Sequence, residues 1–132
     1  MELSITINHT YLLAEVSGTF SATTATLTLS QILAIAYEQK FKKILIDSHT
    51  VMGMPNTYDF YSIGYFIADE MHRYYKKEPR FIFKIGFYSL PNLIDPNKFT
   101  ELLLKHRATN MFVSSNKDEV LNWLGLLGRK KN

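Results

Sequence analysis

The chain has 132 residues, which fits one domain, and its 46% hydrophobic and 20% charged residues exclude an intrinsically disordered protein. It contains no cysteine, which excludes disulfides, thiolate catalysis and zinc–thiolate sites. The net charge is +3, and three basic residues near the end, Arg129, Lys130 and Lys131, account for this excess. The rest of the chain is therefore nearly neutral, which disfavours a nucleic-acid partner, because such partners usually require a basic face.

The first residues do not predict a secretory signal. Met1 is followed directly by Glu2 and Leu3, without the basic segment and small-residue cleavage site of a secretory signal. The longest apolar stretch, residues 32–37, is far shorter than the roughly 20 residues that a membrane span needs. We therefore expect a cytoplasmic protein with no stable membrane insertion.

Two strands are predicted at the start of the chain. Apolar residues alternate with polar ones over residues 3–7, which is the period of a strand with one face in water. A turn at residues 8–10 leads to a second strand over residues 11–16, its expected hairpin partner, and Gly18 ends that strand.

A helix and a central strand come next. Ser21 or Thr23 can cap the helix, because a short hydroxyl side chain accepts hydrogen bonds from the free amides of the first turn. Apolar residues then recur at helical spacing over residues 25–36 and predict its buried face. Residues 44–46 are apolar without alternation, as in a strand covered on both faces, and this strand is expected to stop at Asp47.

A long helix predicted over residues 57–76 carries two stripes of side chains. At 100° per residue, one apolar set shares a narrow arc that we expect to face the core: Phe60, Ile63, Gly64, Ile67, Met71 and Tyr74. The arc beside it holds aromatic and polar-tipped side chains: Tyr58, Tyr61, Tyr65, Ala68, His72 and Tyr75. Phe66 is expected on the wet side. Three interpretations of the second arc remain open: burial under a neighbouring helix, an exposed protein-binding patch, or the wall of a pocket for an apolar ligand.

The second half of the chain repeats the strand–helix alternation. A strand is predicted over residues 80–88, and Asp95 followed by Pro96 is a typical helix start. A short strand over residues 111–113 precedes a capping-box pattern at residues 115–118 and a last helix.

The predicted order β-β-α-β-α-β-α-β-α indicates an α/β fold. We expect a mixed sheet of four or five strands, with the first strand antiparallel and the helices packed mainly on one face. Residues 1–128 are expected to form one domain, and residues 129–132 a frayed basic tail.

The sequence gives no positive case for an enzyme, a metal or a cofactor. The four histidines are dispersed and have no second ligand at helical metal-site spacing: His9, His49, His72 and His106. Asp47, Ser48 and His49 supply the residue types of a triad, but successive residues on a strand point in opposite directions, so we do not expect a triad. Asp47 is expected to accept hydrogen bonds from loop amides, and an enzyme that uses Asp47 and His49 is kept as the least favoured alternative.

The segment before the long helix is a candidate interaction loop, formed by Met54, Asn56 and Thr57. Thr57 is expected first of all to cap the helix. A phosphate on its hydroxyl would be stabilised by the free amides and the helix dipole, so Thr57 is also a candidate phosphorylation switch.

Three segments of the first half form one pattern: a strand that ends in Val16-Ser17-Gly18, a hydroxyl-rich helix start, and a strand Ile44-Leu45-Ile46-Asp47 that precedes a loop and a helix. This pattern resembles the anti-sigma-factor-antagonist (STAS) domain, in which a strand ends in Gly and a later strand ends in Asp before a Ser-bearing loop. The end of the chain is similar to an uncharacterised STAS-like branch. The similar features are a helix with Phe99, the short strand Met111-Phe112-Val113, and the acids Asp118 and Glu119 before Val120-Leu121-Asn122-Trp123-Leu124.

The resemblance implies a regulatory loop in a definite place. In classical antagonists this loop reads Asp-Ser-Ser-Gly, and a partner kinase phosphorylates its second Ser. The loop falls here on Pro55, Asn56, Thr57 and Tyr58, so Thr57 matches the phosphorylated hydroxyl and the other three residues depart from the pattern.

The resemblance and the missing catalytic motifs together favour a non-enzymatic STAS-like module that binds an unknown protein in bacterial signalling. Residues 52–57 and the aromatic side of the following helix would form its binding surface: Tyr58, Tyr61, Tyr65, His72 and Tyr75. The alternatives are a binder of a small apolar, lipid-like ligand and the enzyme named above. A homodimer is a further open alternative.

Overall fold

The structure, a computed structural model, describes residues 1–91 and 110–127. Five strands and three helices lie in these ranges: β1 (Glu2–Ile7), β2 (Leu12–Thr19), α1 (Ala22–Glu38), β3 (Lys43–Met52), α2 (Thr57–Lys77), β4 (Lys84–Tyr88), β5 (Asn110–Ser114) and α3 (Lys117–Trp123). The helix predicted from Asp95, together with the tail at residues 129–132, lies outside the described residues.

The strands form one mixed sheet in the order β1-β2-β3-β4-β5. β1 is antiparallel to β2, and every later pair is parallel. The prediction of an α/β fold with a mixed sheet of four or five strands is therefore confirmed, with five strands in the described residues. Within the described residues, no helix has both the length and the hydrophobicity needed to cross a bilayer.

The larger core lies between the sheet and the helices α1 and α2, which pack against each other on one face. Its buried side chains include four from α1, namely Leu29, Ile32, Leu33 and Ala36, as the helical spacing predicts. In α2, Gly64, Ile67 and Met71 are buried as expected. Phe66 also packs against this core, so its placement on the wet side was wrong.

The opposite face of the sheet is covered in part by α3. Val120 and Leu124 are fully buried there against Leu45 of β3. Of the three described helices, α1 and α2 lie on one face of the sheet and α3 lies on the other. The approach of α3 is close at Gly86 of β4, where an added Cβ would lie 2.5 Å from Val120 Cγ1.

Three strand ends and one helix cap differ from the predictions. β4 begins at Lys84 and not at residue 80. β3 does not stop at Asp47, because it stays hydrogen-bonded to β2 as far as Met52. β2 likewise runs past Gly18 to Thr19. Asn116 rather than Ser115 caps α3, because its side-chain oxygen accepts from the amides of Asp118 and Glu119. Ser21, one of the two predicted candidates, caps α1.

Candidate functional site

The α2 entry loop, residues 52–57, joins the end of β3 to α2. Gly53 turns the chain out of the strand with a φ of +118°, a conformation that glycine adopts without steric cost. Met52 and Met54 follow each other on the surface, and the side chain of Met54 is 82% exposed. The loop therefore presents large apolar side chains to water at the carboxyl end of β3.

Asn56, and not Thr57, is the N-cap of α2. Its side-chain oxygen accepts from the amide of Asp59 at 2.8 Å, and the Asp59 carboxylate accepts from the amide of Asn56 at 3.0 Å. These reciprocal bonds form a capping box. The prediction that Thr57 caps the helix was wrong, and the exposed Thr57 is instead its first residue.

The aromatic stripe consists of Tyr58, Tyr61, Tyr65, His72 and Tyr75. Of the three interpretations, burial under a neighbouring helix does not hold, because Tyr58 is 77% exposed and Tyr61, His72 and Tyr75 are exposed as well. Tyr65 is half-buried. Ala68, placed on the same arc by its spacing, is fully buried and divides the exposed stripe into two ends.

Within the stripe, Tyr61 and Tyr65 form a pair one helical turn apart. Their hydroxyl oxygens are 2.7 Å apart, and their ring centres are 4.6 Å apart. The hydrogen bond to Tyr65 is the main reason that the pKa of Tyr61 is raised above its ordinary value of 10.0. Because each tyrosine contacts the other, a substitution of one also removes a hydrogen bond and a ring contact of the other.

Asp47 and His49 form a second constellation, on β3. The Oδ1 atom of Asp47 accepts from the Nδ1 atom of His49 and also from the His49 backbone amide at 3.1 Å. The Asp47 side chain is only 5% exposed, whereas that of His49 is 45% exposed and stacks on the ring of Tyr88. The prediction that Asp47 accepts hydrogen bonds from loop amides at a strand end was wrong. Asp47 lies within β3 and accepts its hydrogen bonds from His49.

Side-chain alternation along β3 separates Ser48 from Asp47 and His49, but it does not separate Asp47 from His49. Ser48 points away from His49 and lies 2.6 Å from the hydroxyl of Ser89, so the three residues do not form a triad. Asp47 and His49 are two residues apart and hence share one face of the strand, which lets them pair. This i, i+2 spacing was visible in the sequence.

A bulge in β3 shapes the site further. Glu15 pairs with Asp47 and Ser17 pairs with Thr50, so the single residue between them on β2 opposes two residues on β3. Such an extra residue re-aims the side chains around it, and bulges are frequent next to functional sites. As a result both His49 and Thr50 face the same cleft.

The cleft has a volume of about 350 Å³ and lies on the α3 face of the sheet, over the part that α3 does not cover. Leu13 of β2 and Leu45 of β3 pack toward α3. Glu15 and Asp47 come two residues later on the same strands, so alternation places them on this face as well. Its polar lining comes from three strands: Glu2, Ser4, Glu15, Ser17, Asp47, His49 and Thr50. Sequence reasoning missed Glu2 and Glu15, because only the strand register brings them beside Asp47.

The pair can hold and move a proton at one defined atom. A carboxylate can only accept, so Nδ1 of His49 carries the hydrogen of the shared bond, and Nε2 of a neutral ring is left as an acceptor. Fixing the imidazole in one tautomer is what the acid of a catalytic triad does for its histidine. Within residues 1–91 and 110–127, no three His, Cys, Asp or Glu side chains are grouped so as to hold a metal ion.

Comparison with known proteins matches this chain to no family model and to no curated protein.

Proposed function

We propose that the chain is a non-enzymatic, STAS-like module that binds a protein partner in bacterial signalling, through the α2 entry loop and the first turns of α2. The exposure of Met54 and Tyr58, which is 82% and 77%, carries this proposal. Burying apolar surface is favourable by about 25 cal/mol per Å², so two large side chains held in water can contribute strongly to association. Met and Tyr are both enriched at protein interfaces.

The position of Thr57 supports a regulated surface. The STAS resemblance places the phosphorylated hydroxyl of classical antagonists here, and Thr57 is exposed as the first residue of α2. A phosphate at this place would add negative charge beside Met54 and Tyr58 and would be stabilised by the helix dipole. Labelling of the wild type, but not of Thr57→Ala, by a kinase of the source cell tests this step.

Affinity capture from the source cell tests the binding surface. The Met54→Ser/Tyr58→Ser variant should lose a protein that the wild type captures, because it removes apolar contact area without touching the Asn56 cap. Leu27→Ser is the matched control, since Leu27 is 62% exposed but lies on α1. Equal capture by the wild type and the double variant contradicts the proposal. If the captured partner is a second copy of the chain, light scattering detects the dimer directly.

The alternative of a small apolar ligand has less support from the described residues. The cleft beside Asp47 and His49 does not include the aromatic stripe, and seven of its nine lining residues are polar. Ligand pockets are usually lined by apolar and aromatic side chains. Native mass spectrometry of the purified protein tests this alternative, because a retained lipid-like mass would support it.

The Asp47–His49 pair favours a second candidate function, an enzyme that uses His49 as a general base. The His49 ring would take a proton from water or substrate in the cleft, while Asp47 keeps the ring oriented. Glu2 and Glu15 on the cleft wall favour a neutral or cationic substrate over an anion.

A panel of neutral esters and amides tests this candidate. Turnover should be lost in His49→Gln and Asp47→Ala and kept in His72→Gln, whose exposed ring lies on α2. Absence of turnover in the wild type, or equal loss in His72→Gln, contradicts it.

A further inference from the structure

Three lysines converge on one pair of aromatic rings where α1 and α2 end. The Nζ atom of Lys40 lies 4.2 Å from the centre of the Tyr37 ring, and that of Lys77 lies 5.2 Å from the same centre. The Nζ atom of Lys42 is 5.9 Å from the centre of the Phe81 ring, which packs edge-on against Tyr37. Side chains from the ends of α1 and α2, from Lys42 just before β3, and from the segment between α2 and β4 thus meet at one place.

We call this region the basic end and define it by five exposed cations: Lys40, Lys42, Lys76, Lys77 and Arg80. Two carboxylates lie beside them, Glu38 and Glu78, so the region carries 5 − 2 = +3. The whole chain also carries +3, so the remaining residues balance to zero. The near-neutral charge expected from the sequence therefore hides a strong local asymmetry.

The two aromatic rings that the lysines contact, Tyr37 and Phe81, are not available for stacking. Phe81 is buried, and two ammonium groups lie against Tyr37. Proteins that hold single-stranded nucleic acid offer exposed aromatic rings on which bases stack. Four of the five cations are lysines, which act as point charges and lack the planar fork with which arginine grips single phosphates.

An exposed apolar side chain follows these cations closely in the sequence. Ile82 is 46% exposed and comes two residues after Arg80 and next to Phe81. A cluster of exposed lysines matches the surface of an anionic bilayer, whose headgroups attract them, and an exposed aliphatic side chain close in the chain can enter the interface.

We propose that the basic end docks the domain peripherally on membranes that contain anionic phospholipid. It lies at the start of β3, whereas the α2 entry loop follows the end of β3, ten residues later. At about 3.3 Å per residue the two surfaces are roughly 30 Å apart. A domain held by its basic end therefore leaves Met54 and Tyr58 turned away from the lipid and free to meet a protein.

Co-sedimentation with vesicles tests this proposal on the full chain. The wild type should sediment with phosphatidylserine-containing vesicles at low salt and should stay in solution with pure phosphatidylcholine vesicles. High salt should release it, because salt screens exposed charges. The variant Lys40→Gln/Lys42→Gln/Lys77→Gln should bind about a hundredfold more weakly, from about 1 kcal/mol per lysine at the surface and tenfold per 1.4 kcal/mol.

Two further variants make the result specific. Arg129→Gln/Lys130→Gln/Lys131→Gln removes the same charge from the tail and should bind like the wild type. Lys42→Gln/Lys76→Gln/Arg80→Gln keeps the ion pair of Lys40 with Glu78, 3.3 Å long, and should also lose binding. Equal loss in the tail variant, unchanged binding in both basic-end variants, or tighter binding to an RNA or DNA oligonucleotide than to the vesicles would overturn the proposal.

Discussion

The imidazole of His49 and the carboxylate of Asp47 form a hydrogen-bonded pair within a single strand, with the acid buried and the ring half in solvent. The bond fixes which nitrogen of His49 carries hydrogen, and the stacked ring of Tyr88 supports this orientation. The pair is therefore built for one tautomer, whatever the cleft binds.

Asp47→Ala should abolish this preference. In the wild type at alkaline pH, ring ¹⁵N NMR should show hydrogen on Nδ1 of His49, and in the variant the signal should move to a mixture or to the Nε2 form. The signals of His9 and His72 serve as internal controls and should not move. A wild-type His49 with hydrogen on Nε2 would contradict the assigned pair.

Gly86→Ala should destabilise the fold by about 1–3 kcal/mol, as overpacking of a core typically does. The added methyl would lie 2.5 Å from Val120 Cγ1 and 2.9 Å from Leu124 Cδ1, so α3 must move away from β4. Urea unfolding measures the loss. Leu27→Ala, at an exposed site of α1, is the control and should stay within about 0.5 kcal/mol of the wild type. An unchanged stability of Gly86→Ala would mean that α3 does not pack at this distance.

Asn56→Ala should cost about 0.5–2 kcal/mol, whereas Thr57→Ala should change stability by less than about 0.5 kcal/mol. The reason is that Asn56 supplies the side-chain oxygen of the capping box and Thr57 does not. Thermal unfolding of the two variants side by side decides between them. The reverse ranking would restore Thr57 as the cap.

The stabilising contribution of Glu78 should be lost in acid. The Tyr37 hydroxyl donates to its carboxylate at 3.1 Å, and this hydrogen bond, helped by Lys40 and Lys42, lowers its pKa below the ordinary 4.5. A carboxyl group with a lowered pKa in the folded state stabilises the fold above its unfolded pKa, and this contribution fades as the pH falls through the folded value. The difference in unfolding free energy between the wild type and Glu78→Gln should thus be constant above pH 4.5 and shrink below it. A difference that does not change with pH would contradict the assigned hydrogen bond.

The sequence was sufficient for features that depend on local periodicity. The buried face of α1, the span of α2 and the apolar run of β3 all follow from spacing, and the structure has them close to the predicted places. The cap of α2 was misplaced by one residue, since Asn56 and Thr57 are both good capping residues and the sequence alone does not show which one turns out of the helix.

Features that depend on register could not be predicted from the sequence. The bulge opposite residue 16 sets the aim of His49 and Thr50, and no local pattern marks it. Glu15 lies beside Asp47 only because β2 and β3 are parallel neighbours in that register. The basic end was missed because the packing of α1 against α2 brings together lysines that lie almost 40 residues apart, which the sequence analysis counted only in the total charge.

Site-specific photo-crosslinking in the source cell tests the proposed binding surface most directly. A photoreactive phenylalanine placed at Met54 or at Tyr58 should give one discrete protein adduct, and the same group at Ile7, which is 51% exposed on β1, should not give it. No adduct at Met54 and Tyr58, or the same adducts at all three positions, would contradict the proposal that the α2 entry loop and the first turns of α2 bind a protein partner.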